Sequence, residues 1–166
     1  MIRRTEILLA ALLIPALAAA DTRYSGEFDY KTFESSKSYF AGRSTAQIDH
    51  LCKTGEHAST EDLEQCEHRD FERAQAQLDT QLSVLKSLVD KADKFLVEYD
   101  EKPLSLPYFS KSRDGWNQYR DNECYTEAYM MGGASEKYIR FWDCMASLTN
   151  AHIKDVKQTI NDWNNP

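Results

Sequence analysis

The sequence predicts an all-α fold, an antiparallel bundle or hairpin of about three main helices that is cross-linked by two disulfides. Apolar residues recur in steps of three and four along three long segments, which is the period of an amphipathic helix. Pairs of prolines and glycines separate these segments and predict short turns. The chain has four cysteines, and an even number in an exported protein predicts disulfides.

Residues 1–20 have the pattern of a secretory signal peptide. The uncharged run Ile7–Ala20 is shorter than the roughly twenty residues of a membrane span and contains Pro15. The positive start and the small residues of a cleavage site are Arg3, Arg4 and Ala18-Ala19-Ala20. We therefore expect export, a mature chain of about residues 21–166, and no membrane insertion after cleavage. The cleavage position has no cysteine, so no lipid anchor is expected.

Residues 21–57 are predicted to form an aromatic-rich arm that lies on the main body. Their aromatic spacing fits neither a regular helix nor a regular strand. The aromatic residues of this arm are Tyr24, Phe28, Tyr30, Phe33, Tyr39 and Phe40. Ser44 is a good N-cap for a short helix that would run to Leu51. Residues 58–166 are expected to form the helical domain.

The first long helix is predicted from about Thr60 to Tyr99, a length of roughly 60 Å. Ser59 provides the N-cap, and acidic residues follow in the first turn. The apolar stripe consists of Phe71, Gln75, Leu78, Leu82, Leu85, Val89, Ala92, Leu96 and Tyr99. This heptad-like stripe would support a homodimer as well as an intramolecular bundle. Pro103 and Pro107 bracket the turn that follows.

Two further helices are predicted around a glycine turn. The second begins near Pro107 or Tyr108 and runs to about Met131, where Gly132-Gly133 ends it. Its apolar face is predicted to contain Phe109, Trp116, Tyr119 and Met131. The third runs from about Ser135 to Trp163. Its stripe is Tyr138, Phe141, Met145, Leu148, His152, Val156, Ile160 and Trp163.

The helical layout favours one disulfide pairing. A hairpin about the glycine turn places Cys124 and Cys144 at nearly the same height, within the roughly 7 Å Cα separation that a disulfide needs. Cys52 and Cys66 are then the remaining, sequence-local pair. We prefer this arrangement over a crossed pairing, which the sequence alone leaves open.

The charge of the chain bears on the class of partner. The full chain carries 20 Lys and Arg against 27 Asp and Glu. Without Arg3, Arg4 and Glu6, the counts are 18 and 26, a formal net charge of −8. Such a surface is a poor match for nucleic acid or an anionic membrane, and it favours a basic protein partner.

No residue pattern predicts an enzyme, a metal site or a cofactor. Cys66-Glu67-His68, with Cys52 and His57 nearby, could ligate zinc, but the spacing is not a CxxC array and the compartment favours oxidation. A nucleophile motif such as G-x-S-x-G is absent from the sequence. The abundant carboxylates are expected to be solvated on helix surfaces. His152 is expected to be a core or boundary histidine.

The segment from Trp116 to Cys124 is the densest candidate site. Its chemistry-bearing residues are Trp116, Tyr119, Arg120, Asp121 and Glu123, and Gly133 follows in the next turn. In a structural interpretation, the two rings pack into the bundle, Arg120 pairs with Glu123, Asp121 or an acid of the long helix, and Cys124 anchors the helix. In a recognition interpretation, Trp, Tyr and Arg are typical interface anchors. We favour the structural interpretation.

These residues carry a family resemblance. The pattern W-x-x-Y-R-D-x-E-C at residues 116–124 is followed by Gly132-Gly133, Cys144 and Leu148-Thr149, and resembles the LprI-like lysozyme inhibitor family of bacterial envelope proteins. Upstream matches are Cys52, Ala58-Ser59-Thr60, Glu64, Cys66 and Leu78-Asp79. The similarity covers about residues 52–160. The chain departs from the family in lacking a lipobox cysteine and in having the longer aromatic arm.

The resemblance implies a periplasmic inhibitor of a lysozyme or another peptidoglycan hydrolase, or an immunity protein against a wall-degrading toxin. Attraction to a basic hydrolase would agree with the −8 charge. Three surfaces are candidates for the contact: the turn at residues 103–108, the turn at residues 132–135, and the aromatic arm. The alternative is a non-inhibitory periplasmic adaptor or structural module.

Overall fold

The computed structural model describes residues 21–165, and the predicted signal peptide lies outside them. Within residues 21–165, the first element is a 3-10 turn at Tyr30–Thr32, and five α-helices follow it. These are α1 (Ser36–Tyr39), α2 (Thr45–Thr54), α3 (Thr60–Glu98), α4 (Leu106–Met130) and α5 (Lys137–Asn164). Residues 21–165 contain no strand. The predictions of an all-α fold and of three long helices are confirmed.

Local side-chain caps explain where α2 and α3 begin. The Ser44 hydroxyl accepts a hydrogen bond from the Gln47 amide, and the Gln47 side chain accepts one from the Ser44 amide at 2.8 Å. Ser59 and Asp62 form the same reciprocal pair at the start of α3, each bond 3.0 Å long. Each capping box satisfies two amides that the first helical turn leaves without a partner.

Consecutive long helices run antiparallel, so that α3 and α5 point in the same direction and α4 in the opposite one. The core forms two clusters along the bundle. Near the start of α3, Phe71 packs with Phe141 and Trp142 of α5. Further along, Leu78 and other α3 residues pack with the later part of α5, at Ile153, Val156 and Ile160. The Cα atoms of Cys52 and Cys66 are 5.3 Å apart, and those of Cys124 and Cys144 are 5.5 Å apart. The preferred disulfide pairing is confirmed.

The predicted apolar face of α4 is partly wrong. Tyr119 is 55% exposed and Met131 is 36% exposed, whereas Arg120, Cys124 and Ala128 are buried. Adjacent helical residues point about 100° apart, so the disulfide that turns Cys124 inward also turns the position four residues earlier inward. Tyr119 is displaced to the solvent side.

The two long stripes also extend beyond the core. Tyr99 and Trp163, the last members of the predicted stripes, are mostly exposed. By contrast, Trp142 is completely buried although the predicted stripe of α5 does not contain it. The arm covers a second side of α5, and this widens the apolar face beyond a single stripe.

Residues 22–40 lie against α3, α4 and α5. Phe28, Tyr30 and Phe33 pack on the first core cluster, and Phe40 is buried. The Phe28 ring lies 4.8 Å from Tyr138 and 5.0 Å from Phe141, between ring centroids. The aromatic rings of the arm are thus used largely for packing within the chain.

The partly exposed Arg23 of the arm pairs with the buried Glu64 of α3. Arg23 Nη2 lies 2.9–3.0 Å from the carboxylate oxygens of Glu64, whose side chain is almost completely buried. Burial raises the pKa of Glu64 to about 7, although attraction to Arg23 opposes the shift. The neutral form of Glu64 is therefore favoured by the fold.

This pKa shift predicts a pH-dependent stability. The unfolded chain has the usual Glu pKa of 4.5, so between pH 4.5 and 7 the folded protein binds more protons at Glu64 than the unfolded chain does. The contribution of Glu64 to stability consequently falls as the pH rises through this window. Denaturant titrations measure the free energy of unfolding of Glu64→Gln relative to that of the unsubstituted protein. This difference should rise by roughly 1–3 kcal/mol in favour of Glu64→Gln as the pH increases from 4.5 to 7.5. A difference that does not change with pH would contradict the shift.

Candidate partner-binding surface

Arg120 is the centre of a buried polar network within the segment that the sequence singled out. Its Nε and Nη2 donate to Asp121 Oδ1 at 3.0 and 2.7 Å, and its Nη1 donates to Gln75 Oε1 on α3 at 2.7 Å. The guanidinium carbon lies 5.2 Å from the Phe71 ring centroid and 5.0 Å from that of Trp116. The partner of Arg120 is thus Asp121, one of the acids that the sequence offered.

The same network reaches the arm. The Tyr30 hydroxyl donates to Asp121 Oδ2 at 3.0 Å. Burial, followed by the charge of Asp121, raises the pKa of Tyr30 to about 12. The hydroxyl therefore stays protonated and keeps donating. Arg120 and Asp121 together connect α4 to α3 and to the arm.

Trp116 is also occupied within the bundle. It packs on the second core cluster and stacks on His152 of α5, with ring centroids 4.2 Å apart and an interplanar angle of 14°. Burial lowers the pKa of His152, which favours the neutral ring. His152 lies at the boundary of the core, where the sequence placed it.

Three residues of the candidate site take little part in packing within the described chain: Tyr119, Glu123 and Gly133. Tyr119 and Glu123 are exposed and make no hydrogen bond to another side chain within residues 21–165. Gly132 has a φ of +60°, a backbone conformation that favours glycine. The φ of Gly133 is not positive, so its backbone does not require glycine. A β-carbon at Gly133 would meet no atom within 4 Å.

Tyr119 and Glu123 line a cleft between α4 and α5, beside the Cys124–Cys144 disulfide. The cleft has a volume of about 180 Å³. It is also lined by Glu127, Arg140, Asp143, Cys144, Ser147 and Leu148. We call this surface the α4–α5 cleft.

The charge of the α4–α5 cleft is mainly negative. Arg140 bridges its walls, with Nε 2.9 Å from Glu127 and Nη1 3.1 Å from Asp143. Burial and the nearby charges of Asp143 and Asp70 raise the pKa of Glu67 on α3. The cleft therefore combines an exposed aromatic ring with several carboxylates.

The turns at residues 132–135 and 103–108, which the sequence indicates as candidate contact surfaces, lie at opposite ends of the α4–α5 hairpin. The glycine turn adjoins buried Lys137, whose Nζ donates to the carbonyls of Tyr24 at 3.2 Å and Gly26 at 2.7 Å. At the other turn, the Asp93 carboxylate of α3 accepts from the Ser105 and Leu106 amides at 2.7 and 2.8 Å. These bonds cap α4 and lower the pKa of Asp93. No sequence signal points to this cap, because its acceptor is remote from α4 in the chain.

The second turn belongs to an apolar end of the bundle, formed by residues 84–111 and 154–164. An apolar pocket of about 250 Å³ and an adjoining groove of about 520 Å³ share the walls Leu88, Ala92, Ser105 and Trp163. This is the part of the bundle where the helical stripes extend beyond the closed core.

Membrane-spanning and metal-binding features are both absent from residues 21–165. No helix there has the length and hydropathy of a membrane span. No group of three or more His, Cys, Asp or Glu side chains there is placed to hold a metal ion. The sulfurs of Cys52 and Cys66, which the sequence offered as zinc ligands, are bonded to each other.

Comparisons with known proteins identify the family. The family model described as lysozyme inhibitor LprI matches residues 52–156. An uncharacterized protein of Rhizobium meliloti (strain 1021) is 25% identical over 105 residues, which are 63% of this chain and 76% of the relative. No solved structure matches. The matched region contains the four cysteines, Arg120 with its partners Asp121 and Gln75, and the α4–α5 cleft. The chain belongs to the LprI lysozyme inhibitor family.

Proposed function

We propose that this protein is exported to the periplasm and inhibits a lysozyme-type cell-wall hydrolase by binding it through the α4–α5 cleft. The observation that carries the proposal is the match of the lysozyme inhibitor family over residues 52–156. The family is described as one of inhibitors, so the protein acts by binding rather than by catalysis.

The disulfides support a location outside the cytoplasm. Both have the Cα separations of ordinary disulfides, and all four cysteines are used. Such bonds persist in the periplasm and are rare in the reducing cytosol. The signal-like pattern of residues 1–20 supports the same compartment.

The distribution of residues favours the α4–α5 cleft among the candidate surfaces. The rings of the arm are largely occupied by packing, whereas Tyr119 is exposed beside carboxylates. Tyrosine is a frequent anchor of protein interfaces because it combines a large apolar ring with a polar hydroxyl. A partner with basic residues would find complementary charge at Glu123 and its neighbours.

The unequal distribution of charge supports the same choice. The apolar end contains seven lysines and seven carboxylates, so it has no formal net charge. The rest of the mature chain, which includes the α4–α5 cleft, therefore carries the whole net charge of −8. A basic hydrolase would be attracted toward that part of the molecule, and salt would weaken the attraction.

The decisive experiment is a turbidity assay of wall lysis by a c-type lysozyme and a panel of bacterial muramidases. The oxidised protein should inhibit at least one of them in a saturable manner, near one inhibitor per enzyme. Failure to inhibit any enzyme of the panel would favour a dedicated toxin as the target, or an adaptor function.

Substitutions within the cleft should weaken inhibition. Glu123→Lys and Tyr119→Ala should each raise the inhibition constant about tenfold or more, because they remove a favourable charge and a ring anchor. Inhibition should also weaken as salt concentration increases. The measurement is the inhibitor concentration that halves the lysis rate.

Glu98→Lys is the matched control, because it makes the same charge change on an exposed helical position at the apolar end. At a salt concentration that screens long-range attraction by net charge, the inhibition constant of this variant should lie within about twofold of that of the unsubstituted protein. Equal losses for Glu98→Lys and Glu123→Lys would show that net charge, and not the cleft, governs binding.

The second candidate function is a non-inhibitory periplasmic adaptor. The exposed aromatic residues of the apolar end favour it, since such surfaces suit protein partners in general. A pull-down from envelope extracts that recovers only an enzyme with muramidase activity would count against the adaptor. A neighbouring gene for a wall-hydrolase toxin would favour the immunity form of the inhibitor.

A further inference from the structure

The apolar end of the bundle contains the aromatic rings with the largest exposed fractions in the described part of the chain. Phe95 of α3 is 57% exposed, and Tyr99, which follows the end of α3, is 61% exposed. Tyr108 of α4 is 61% exposed, and Trp163 of α5 is 69% exposed. The Phe95 and Tyr99 rings contact each other, with centroids 4.6 Å apart. Isolated exposed apolar residues are ordinary, but a group of rings beside an apolar groove marks an interaction surface.

The groove and the rings are complementary in character. Phe95 and Trp163 stand at the groove of about 520 Å³, whose other walls include Leu88, Ala92 and Leu96. The adjoining pocket of about 250 Å³ is lined by Leu85, Val89 and Phe109. One surface therefore contains both apolar projections and apolar hollows, which a two-fold symmetric interface requires of each subunit.

We propose that a second copy of this chain covers the apolar end, so that the protein is a two-fold symmetric homodimer joined through residues 84–111 and 154–164. In this dimer, rings such as Phe95 and Trp163 of each copy pack into the groove of the other. The α4–α5 cleft lies outside these residues, so each copy keeps it free.

The exposed area is sufficient for such a dimer. Aromatic side chains bury about 150–250 Å² each, so the exposed parts of these four rings amount to roughly 500 Å² per chain. A dimer that covers all four rings would then bury roughly 1,000 Å² through the rings alone, which is the lower limit for a biological interface before the groove walls are included.

The charge distribution selects a second copy as the occupant. Two molecules that each carry −8 repel one another over most of their surfaces. The apolar end is where this repulsion is smallest, because its seven lysines balance its seven carboxylates. A basic hydrolase would gain no electrostatic advantage at this end, whereas an identical acidic chain meets no net repulsion there.

The dimer is tested by sedimentation equilibrium on protein that is expressed from the full chain and purified with both disulfides formed. The unsubstituted protein should sediment at twice the mass of a single chain. Phe95→Lys and Trp163→Lys each place a charge among the rings and should weaken dimerisation about 30-fold or more. Circular dichroism should show that both variants keep the helical content of the parent.

Tyr119→Lys is the matched control, because it introduces the same charge at a similarly exposed ring outside the apolar end. It should leave the dimer intact. A parent protein that is still monomeric at about 100 µM, where even weak dimers form, would overturn the proposal. So would a dimer that survives both Phe95→Lys and Trp163→Lys, since association would then use another surface. The dimer and the proposed function can fail separately. A variant that dimerises without inhibiting, or one that inhibits without dimerising, would show that the two properties use different surfaces.

Discussion

Trp142→Ala is expected to lower the free energy of unfolding by about 3–5 kcal/mol, because it removes a large side chain from the centre of the core. The Trp142 side chain is completely buried. It stacks on His68 with ring centroids 3.9 Å apart, and its ring lies 5.4 Å from those of Phe33 and Phe71. Truncation would leave a large cavity where the arm, α3 and α5 meet.

The loss is measured by urea denaturation followed by circular dichroism. Trp142→Phe keeps most of the volume and should lose clearly less stability than Trp142→Ala, which preserves the test if the alanine variant does not fold. Tyr119→Ala removes another large ring, but from an exposed position, and should change stability by no more than about 0.5 kcal/mol. Equal effects of Trp142→Ala and Tyr119→Ala would contradict the packing described for Trp142.

Arg120→Ala is expected to lower the free energy of unfolding by about 3 kcal/mol, because it removes a buried guanidinium and leaves the partly buried Asp121 without its cation. Asp121 would lose both bonds from the guanidinium, and Gln75 would lose the bond from Nη1. The packing of the guanidinium between Phe71 and Trp116 would be lost as well. Faster amide hydrogen exchange near Tyr30 should accompany the loss, since Asp121 also holds that residue.

Arg140→Ala provides the comparison, because Arg140 also pairs with carboxylates but has a half-exposed side chain. Exposed ion pairs contribute about 0–1 kcal/mol, so this variant should remain close to the parent in stability. Arg120→Met restores apolar volume and should be more stable than Arg120→Ala only if packing supplies part of the effect. A small loss for Arg120→Ala would show that water replaces the guanidinium without cost.

Helix positions were predictable because their signals are local. The capping residues Ser44 and Ser59 and the terminating Gly132 act on amides or dihedral angles within a few residues of themselves. The disulfide pairing was predictable for a related reason, since a hairpin of two helices fixes the relative height of Cys124 and Cys144.

The candidate site was only partly predictable. The sequence singled out Arg120 and offered Glu123, Asp121 or an acid of the long helix as partners, and the structure pairs it with Asp121 and with the neutral Gln75. The sequence placed Tyr119 on the apolar face, although it is exposed. Both outcomes depend on the rotation of α4 about its axis, which a stripe of mixed polar and apolar residues does not fix.

The helical class, the approximate helix boundaries, the disulfides and the resemblance to lysozyme inhibitors all follow from the amino-acid sequence, because periodicity, caps and motif spacing are properties of neighbouring residues. The identity of the buried faces required the folded chain. Its packing placed the rings of the arm around Trp142, turned Arg120 inward, and left Tyr119 and the apolar end exposed. Burial depends on how segments that are remote in the sequence pack together. An apolar stripe predicts which face of a helix is buried, but it does not predict how far along the helix that face is covered by other elements.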